Sequence, residues 1–169
     1  MCHWRITPSH GWLVPSAGEL ARMPEIARRH EYEEDCDWSI AVVALPELAG
    51  AKSLGWSAPA AEVLANARKT LRDWHPDLFE TLTGERVTSA NSYLRGRDEF
   101  YRVHAQNWIV ISAVGQWVDG EPTGFVMGTA TLSGNRSSQD SRDYLIPSVR
   151  YDERANWGYV IQPEDQLAA

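Results

Sequence analysis

The hydrophobic period of the chain changes from helical to strand spacing near residue 108, and that change restricts the fold to a combination of helices and antiparallel strands. Before it, Pro59 opens the run AAEVLANARKTLRDW, in which Leu64, Ala67, Leu71 and Trp74 recur at helical spacing with Arg68, Lys69 and Arg72 outside. Such spacing gives a helix one apolar face to bury. After it, Trp108-Ile-Val-Ile-Ser-Ala-Val is apolar on both alternating faces, as a central strand is. Asp119-Gly120, with Pro122 and Gly124, supplies a turn into Phe125 to Leu132, so these two segments are expected to pair antiparallel. Tyr144 to Ile146 and Tyr159 to Ile161 read as two further short strands, and Ser133 to Asp140 as a loop with nothing to bury. The class is α+β: an antiparallel β-meander in the C-terminal half, three to four helices packed on one face, and a short N-terminal hairpin.

That hairpin is read from His3 to Thr7 and Trp12 to Val14, joined by Pro8-Ser9-His10-Gly11, whose glycine can supply a positive φ. Ser16-Ala-Gly-Glu19 is a capping box opening a short helix that Pro24 closes. Pro46 to Pro59 reads as a loop. His75-Pro76 ends the long helix, because the residue before a proline is pushed out of the α region, and a shorter helix runs from Pro76 to about Gly84. Another is expected from Ser92 to His104 with Tyr93, Phe100 and Val103 facing inward.

A chain of 169 residues with 43% hydrophobic and 23% charged residues has the composition of a single folded domain spanning residues 1–169. It has no apolar run long enough for a membrane span and no signal-like N-terminus, so a cytoplasmic location is expected. Cys2 and Cys36 form no CxxC pair and are expected to be free thiols. A net charge of −7 disfavours binding to a nucleic-acid backbone and favours either a basic protein partner or simple solubility, between which charge alone does not choose. Eight tryptophans spread along the chain suggest core use, with Trp38, Leu71, Trp74, Trp108 and Ile111 expected in one core.

The polar counterpart of this core is the segment His30 to Pro46, where Glu31, Glu33, Glu34, Asp35 and Asp37 run directly into an apolar stretch. No Lys or Arg lies between Arg29 and Lys52, so the local potential is expected to be negative. With Asp35 as N-cap and Asp37 in the first turn, a helix follows with Trp38, Val42 and Leu45 on one face. The β-branched Ile40, Val42 and Val43 would also suit a buried strand; the helix is preferred, and Pro46 stops either.

Thr7-Pro-Ser-His-Gly11, Tyr32-Glu-Glu-Asp-Cys-Asp-Trp38 leading to Pro46-Glu47, and Leu71-Arg-Asp-Trp-His-Pro-Asp77 occur in this order. They resemble an uncharacterised domain family found on bacterial mobile elements, plasmids and phages. His104-Ala-Gln-Asn-Trp-Ile-Val-Ile111, Leu145-Ile-Pro147 and Gly158-Tyr-Val-Ile-Gln-Pro163 continue the resemblance, while Trp12 stands where it would place a second glycine. The resemblance transfers no activity; it implies a mobile-element origin, and small proteins of that origin often inhibit host defences.

Two function classes follow. In the first, a non-enzymatic domain without cofactor presents Glu31, Glu33, Glu34, Asp35, Asp37 and Trp12 to a basic or nucleic-acid-binding protein, such as a CRISPR or restriction complex. In the second, His10 with Glu33, Glu34, Asp35 and Asp37 forms a metal-dependent hydrolase or nuclease. There His10, Glu34 and Asp35 are the catalytic candidates and His10, Glu33 and Asp37 the metal ligands, with His75, Asp77 or His104 added if the fold brings them near. No HExxH, HxH or CxxC sharpens this second reading. A nucleophile built from Ser9 or Cys36 with His10 or His75 is weaker, since adjacent residues rarely give opposed geometry and acids around Cys36 disfavour its thiolate.

Overall fold

The computed structural model describes residues 1–115 and 123–168, so the turn expected at Asp119, Gly120 and Pro122 lies outside the described residues. The chain divides into two compact units, Met1–Gly96 and Arg97–Ala169. It is α+β, with one antiparallel sheet in each unit.

In the first unit, β1 (His3–Ile6) and β2 (Gly11–Val14) form the expected hairpin, with Ile6 opposite Gly11. A third strand that the sequence reading missed, β3 (Tyr32–Glu33), pairs with β2 and sets Glu33 opposite Trp12 and Tyr32 opposite Leu13. Leu13 and Tyr32 are fully buried on one face, while the alternate residues Trp12 and Glu33 are half-buried.

The capping box is present: Ser16 Oγ accepts from the Glu19 N–H, and the Glu19 carboxylate accepts from the Ser16 N–H, opening α1 (Ala17–Arg22). The acidic junction leads into a helix, α2 (Trp38–Ala44), rather than a strand. Its start is later than expected. Asp35 does not cap it; residues 34–37 form a turn, and Asp37 occupies the N-cap position without a side-chain capping bond because its carboxylate is engaged elsewhere. The expected loop after Pro46 contains two short 3-10 turns, Pro46–Gly50 and Lys52–Leu54, that bury Leu48, Ala49 and Leu54.

The long helix α3 (Ala60–Trp74) buries Val63, Ala67 and Leu71 and ends at His75, where α4 (Pro76–Thr83) begins. These helices and α2 close over a core that includes Leu13, Met23, Tyr32, Ile40, Val42, Leu71 and Phe79. Trp74 is 45% exposed, contrary to expectation, because it is the last helical residue, and its ring rests against Tyr93 with centroids 5.1 Å apart. The tryptophans serve as rims: all seven described are partly or largely exposed, and Trp4, Trp56 and Trp38 form a chain with centroids 5.7 and 5.5 Å apart. Helix α5 (Tyr93–Val103) contains the unit boundary, and its buried residue is Gly96; Tyr93 and Val103 are exposed rather than inward.

The second unit holds β4 (Trp108–Gly115), β5 (Phe125–Leu132), β6 (Ser141–Pro147) and β7 (Gln166–Leu167), in that order across the sheet. Its own core gathers Val110, Ala130, Tyr144, Ile146 and Tyr159, with Trp108 packed against it. Trp38 and Leu71 belong to the first cluster and Trp108 to the second, so the expected single core is corrected to two. Ile111 belongs to neither; it falls where the β4–β5 register shifts between Val110 and Ser112. The strand expected over Tyr159 to Ile161 is instead a bridged segment, with Val110 N donating to Tyr159 O and Ile161 N to Trp108 O, each at 2.9 Å. The one-turn α6 (Ser148–Asp152) packs on β5 and β6. No helix among the described residues is long and apolar enough to cross a membrane.

Candidate functional site

The turn between β1 and β2 is fixed from within. Thr7 N donates to His10 O at 2.8 Å, Thr7 Oγ1 to the same oxygen at 3.1 Å, and His10 N to Thr7 Oγ1 at 3.2 Å. Gly11 has no positive φ among the described backbone, so its role differs from the one read in the sequence. Glu34 N donates to Gly11 O at 3.0 Å, and a Cβ at residue 11 would collide with Glu34 Oε2. Glycine therefore permits a close approach here rather than a turn.

Hairpin and β3 together bring His10 to the acidic segment, as expected, but only to part of it. One ligand atom each from His10, Glu33 and Glu34 lies within 4.8 Å of the others. Asp37, expected as a ligand beside His10, instead groups with Cys36 and His75. Asp35 is exposed and belongs to neither group; its N–H donates to Glu33 Oε2 at 2.7 Å. Beside them the half-buried Trp12 ring lies 5.8 Å from that of His10, with the Arg5 guanidinium 4.7 Å from the Trp12 centroid.

The expected unneutralised run of five acids is corrected by pairs distant in sequence. Arg5 holds Glu31 at 2.6 Å, and Arg29 holds Asp37 Oδ2 at 2.5 Å while His75 Nε2 lies 2.9 Å from Asp37 Oδ1. Among the described residues Glu33, Glu34 and Asp35 form no salt bridge, so the negative field is carried by three acids rather than five.

Burial, then the nearby Asp37, Glu33 and Asp35, push the Cys36 thiol above its ordinary pKa. This agrees with the reading of Cys36 as a poor nucleophile. Among the described residues no hydrogen bond joins Ser9 to His10, so the Ser9 nucleophile has no geometric support either. Asp77 pairs with Arg95 in the first turn of α4, and His104 lies in the second unit beside Phe100 and Asn107. His75 is the candidate whose placement sequence reasoning left open. His75-Pro76 located it at the junction of two helices, but its meeting with Asp37 depends on how α2 packs on α3.

A domain of unknown function, DUF7007, matches residues 2–105. The chain belongs to this family. Both side-chain groups, and the three segments on which the resemblance to an uncharacterised family began, lie inside the DUF7007 stretch. Of the later similarities, 104–111 begins in the last two residues of that stretch, and 145–147 and 158–163 lie beyond it. No curated protein and no solved structure matches the chain.

Proposed function

We propose that this DUF7007 chain is a protein-binding module of mobile-element type that engages a basic partner, and that the acidic and aromatic surface around Trp12 and Glu33 makes the contact. The observation that carries the reading is Glu33, paired across the strands with the half-buried Trp12 and followed in the next turn by Glu34 and Asp35, all three acids free of salt bridges among the described residues. Exposed carboxylates speed and orient encounter with a cationic surface, and a rigidly held tryptophan supplies apolar contact area at low entropic cost. Proteins that handle nucleic acid carry Lys and Arg surfaces for phosphate, so a host CRISPR or restriction complex fits the chemistry. Glu31 and Asp37, committed to Arg5 and Arg29, contribute little to this surface.

The test is capture from host lysate by wild type and by the Glu33→Gln/Glu34→Gln variant, with retained proteins identified by mass spectrometry. A basic protein held by wild type and depleted with the variant supports the reading. Equal recovery by both proteins, or no basic protein at all, overturns it.

A second reading, the metal-dependent hydrolase, is favoured by the convergence of His10, Glu33 and Glu34 within 4.8 Å. Mixed imidazole and carboxylate donors suit zinc or manganese. Hydrolysis of a phosphodiester by wild type with added Mn2+, lost in His10→Gln, would replace the binding reading with this one.

A further inference from the structure

We infer that Cys36, Asp37 and His75 form a site for a thiophilic divalent cation of the zinc class, separate from the acidic surface described above. The three donors come from two places that helix packing brings together: the turn ahead of α2, and the junction of α3 and α4. All are half-buried, and one ligand atom from each lies within 4.8 Å of the other two.

Two further observations set this group apart from a helix-start acid. First, His75 Nε2 is buried and has no hydrogen-bond partner of proper geometry, although Asp37 Oδ1 is only 2.9 Å away. The His75 backbone is committed on both sides, its N–H to Leu71 O at 2.8 Å and its carbonyl to the Phe79 N–H at 2.9 Å, so the junction that carries the ring is fixed. Second, the spacing is near that of a tetrahedral centre. Zinc bond lengths imply N···O edges of about 3.4 Å and S···O edges of about 3.6 Å. The His75 Nε2 to Asp37 Oδ1 distance is 2.9 Å and the Cys36 Sγ to Asp37 Oδ1 distance 3.9 Å, so these two edges are close to the bound values, and the third, between Cys36 and His75, lies within 4.8 Å.

Charge and donor type select the ion. A thiolate, a carboxylate and a neutral imidazole balance a divalent cation, and the sulfur donor selects zinc over magnesium or calcium. Arg29, on the other oxygen of Asp37, orients that carboxylate from outside the donor set. Three protein donors leave one tetrahedral position for water or for a donor from a partner.

The test uses the full chain, cleared of metal with chelator and titrated with Co2+ as a spectroscopic substitute for zinc. Binding of one equivalent with thiolate-to-cobalt charge-transfer absorption in the near ultraviolet is expected, and Zn2+ should bleach it. The band should vanish in Cys36→Ser and weaken strongly in His75→Gln, yet persist in His10→Gln, which separates this site from the His10 cluster. Alkylation of wild-type Cys36 should also slow when Zn2+ is present, a readout that needs no variant to fold. Absence of the band in wild type, its survival in Cys36→Ser, or alkylation unaffected by Zn2+ would overturn the assignment.

Discussion

Replacing Tyr32 with Phe removes a single oxygen from the centre of the first unit, and its cost can be worked from the contacts that oxygen makes. Tyr32 is fully buried; its hydroxyl donates to Ala27 O at 2.6 Å, accepts from Arg29 N at 3.1 Å and lies 3.0 Å from Met23 Sδ. The phenol thereby fastens the backbone of residues 27–29 to β3 and sets the root of Arg29, whose guanidinium holds Asp37. Each buried hydrogen bond contributes about 0.5–1.5 kcal/mol net, and a backbone group left unsatisfied costs about 1–3 kcal/mol. With water able to reach one of the two orphaned groups, the loss is about 2–4 kcal/mol. At a urea slope of about 1.5 kcal/mol/M, the unfolding midpoint falls by roughly 1.3–2.7 M. Urea titration followed by circular dichroism measures the shift, and hydrogen exchange at the Arg29 amide locates it. A midpoint within roughly 0.3 M of wild type, with the Arg29 amide still protected, would show that the hydroxyl does not hold this segment.

Ser16→Ala removes the N-cap of α1 and should destabilise the first unit by about 1 kcal/mol in the same titration. Burial opposes ionisation of Glu19, but hydrogen bonds from Ser16 Oγ–H, Ser16 N–H and Cys2 N–H outweigh it and hold the carboxyl below its ordinary pKa. The stability it confers is present above the unfolded pKa and is lost as pH falls through the folded one, so Glu19→Gln should flatten the acid limb of a stability profile. At the other limb, burial and the Glu19 carboxylate push the Cys2 thiol up to about 11 from 9.0, so the unfolded chain ionises first. Stability should fall as pH rises from 9.0 towards about 11, and less steeply in Cys2→Ala; equal alkaline slopes would contradict the burial of this thiol. Gly11→Ala should force the exposed, flexible Glu34 carboxylate away from its place over residue 11 at a stability cost under roughly 1 kcal/mol. His10 ring resonances should then move as they do in Glu34→Gln, and unmoved resonances would refute the close approach.

Local signals decided much of the fold. The Ser16–Glu19 capping box, the hairpin ahead of it, Pro59 before α3 and the His75-Pro76 break each act over a few residues and were legible as read. The pairing of the two long C-terminal strands was legible as well. What escaped depends on distant partners. Tyr32 and Glu33 make only a two-residue strand, visible as such once β2 is beside it. The absence of Lys and Arg between residues 29 and 52 suggested five unneutralised acids, but Arg5 and Arg29 reach Glu31 and Asp37 from outside that window. Trp74 sits on the inner stripe of its helix, yet burial also requires a neighbour at that height, and the helix ends there. The candidate site divided in the same way: His10 with Glu33 and Glu34 was anticipated, whereas His75 joined Asp37 through the packing of α2 on α3.

The binding account is tested most directly by association kinetics between the chain and the basic partner recovered in the capture experiment, measured across ionic strength for wild type and Glu33→Gln/Glu34→Gln. Both substitutions keep shape and should change stability by no more than about 0.5 kcal/mol. Because exposed charges act through long-range attraction that salt screens, the variant should associate several-fold more slowly at low salt, with a flatter salt dependence and little change in dissociation. An association rate and salt slope equal to those of wild type would contradict the account and leave the acidic turn as a solvated approach to α2.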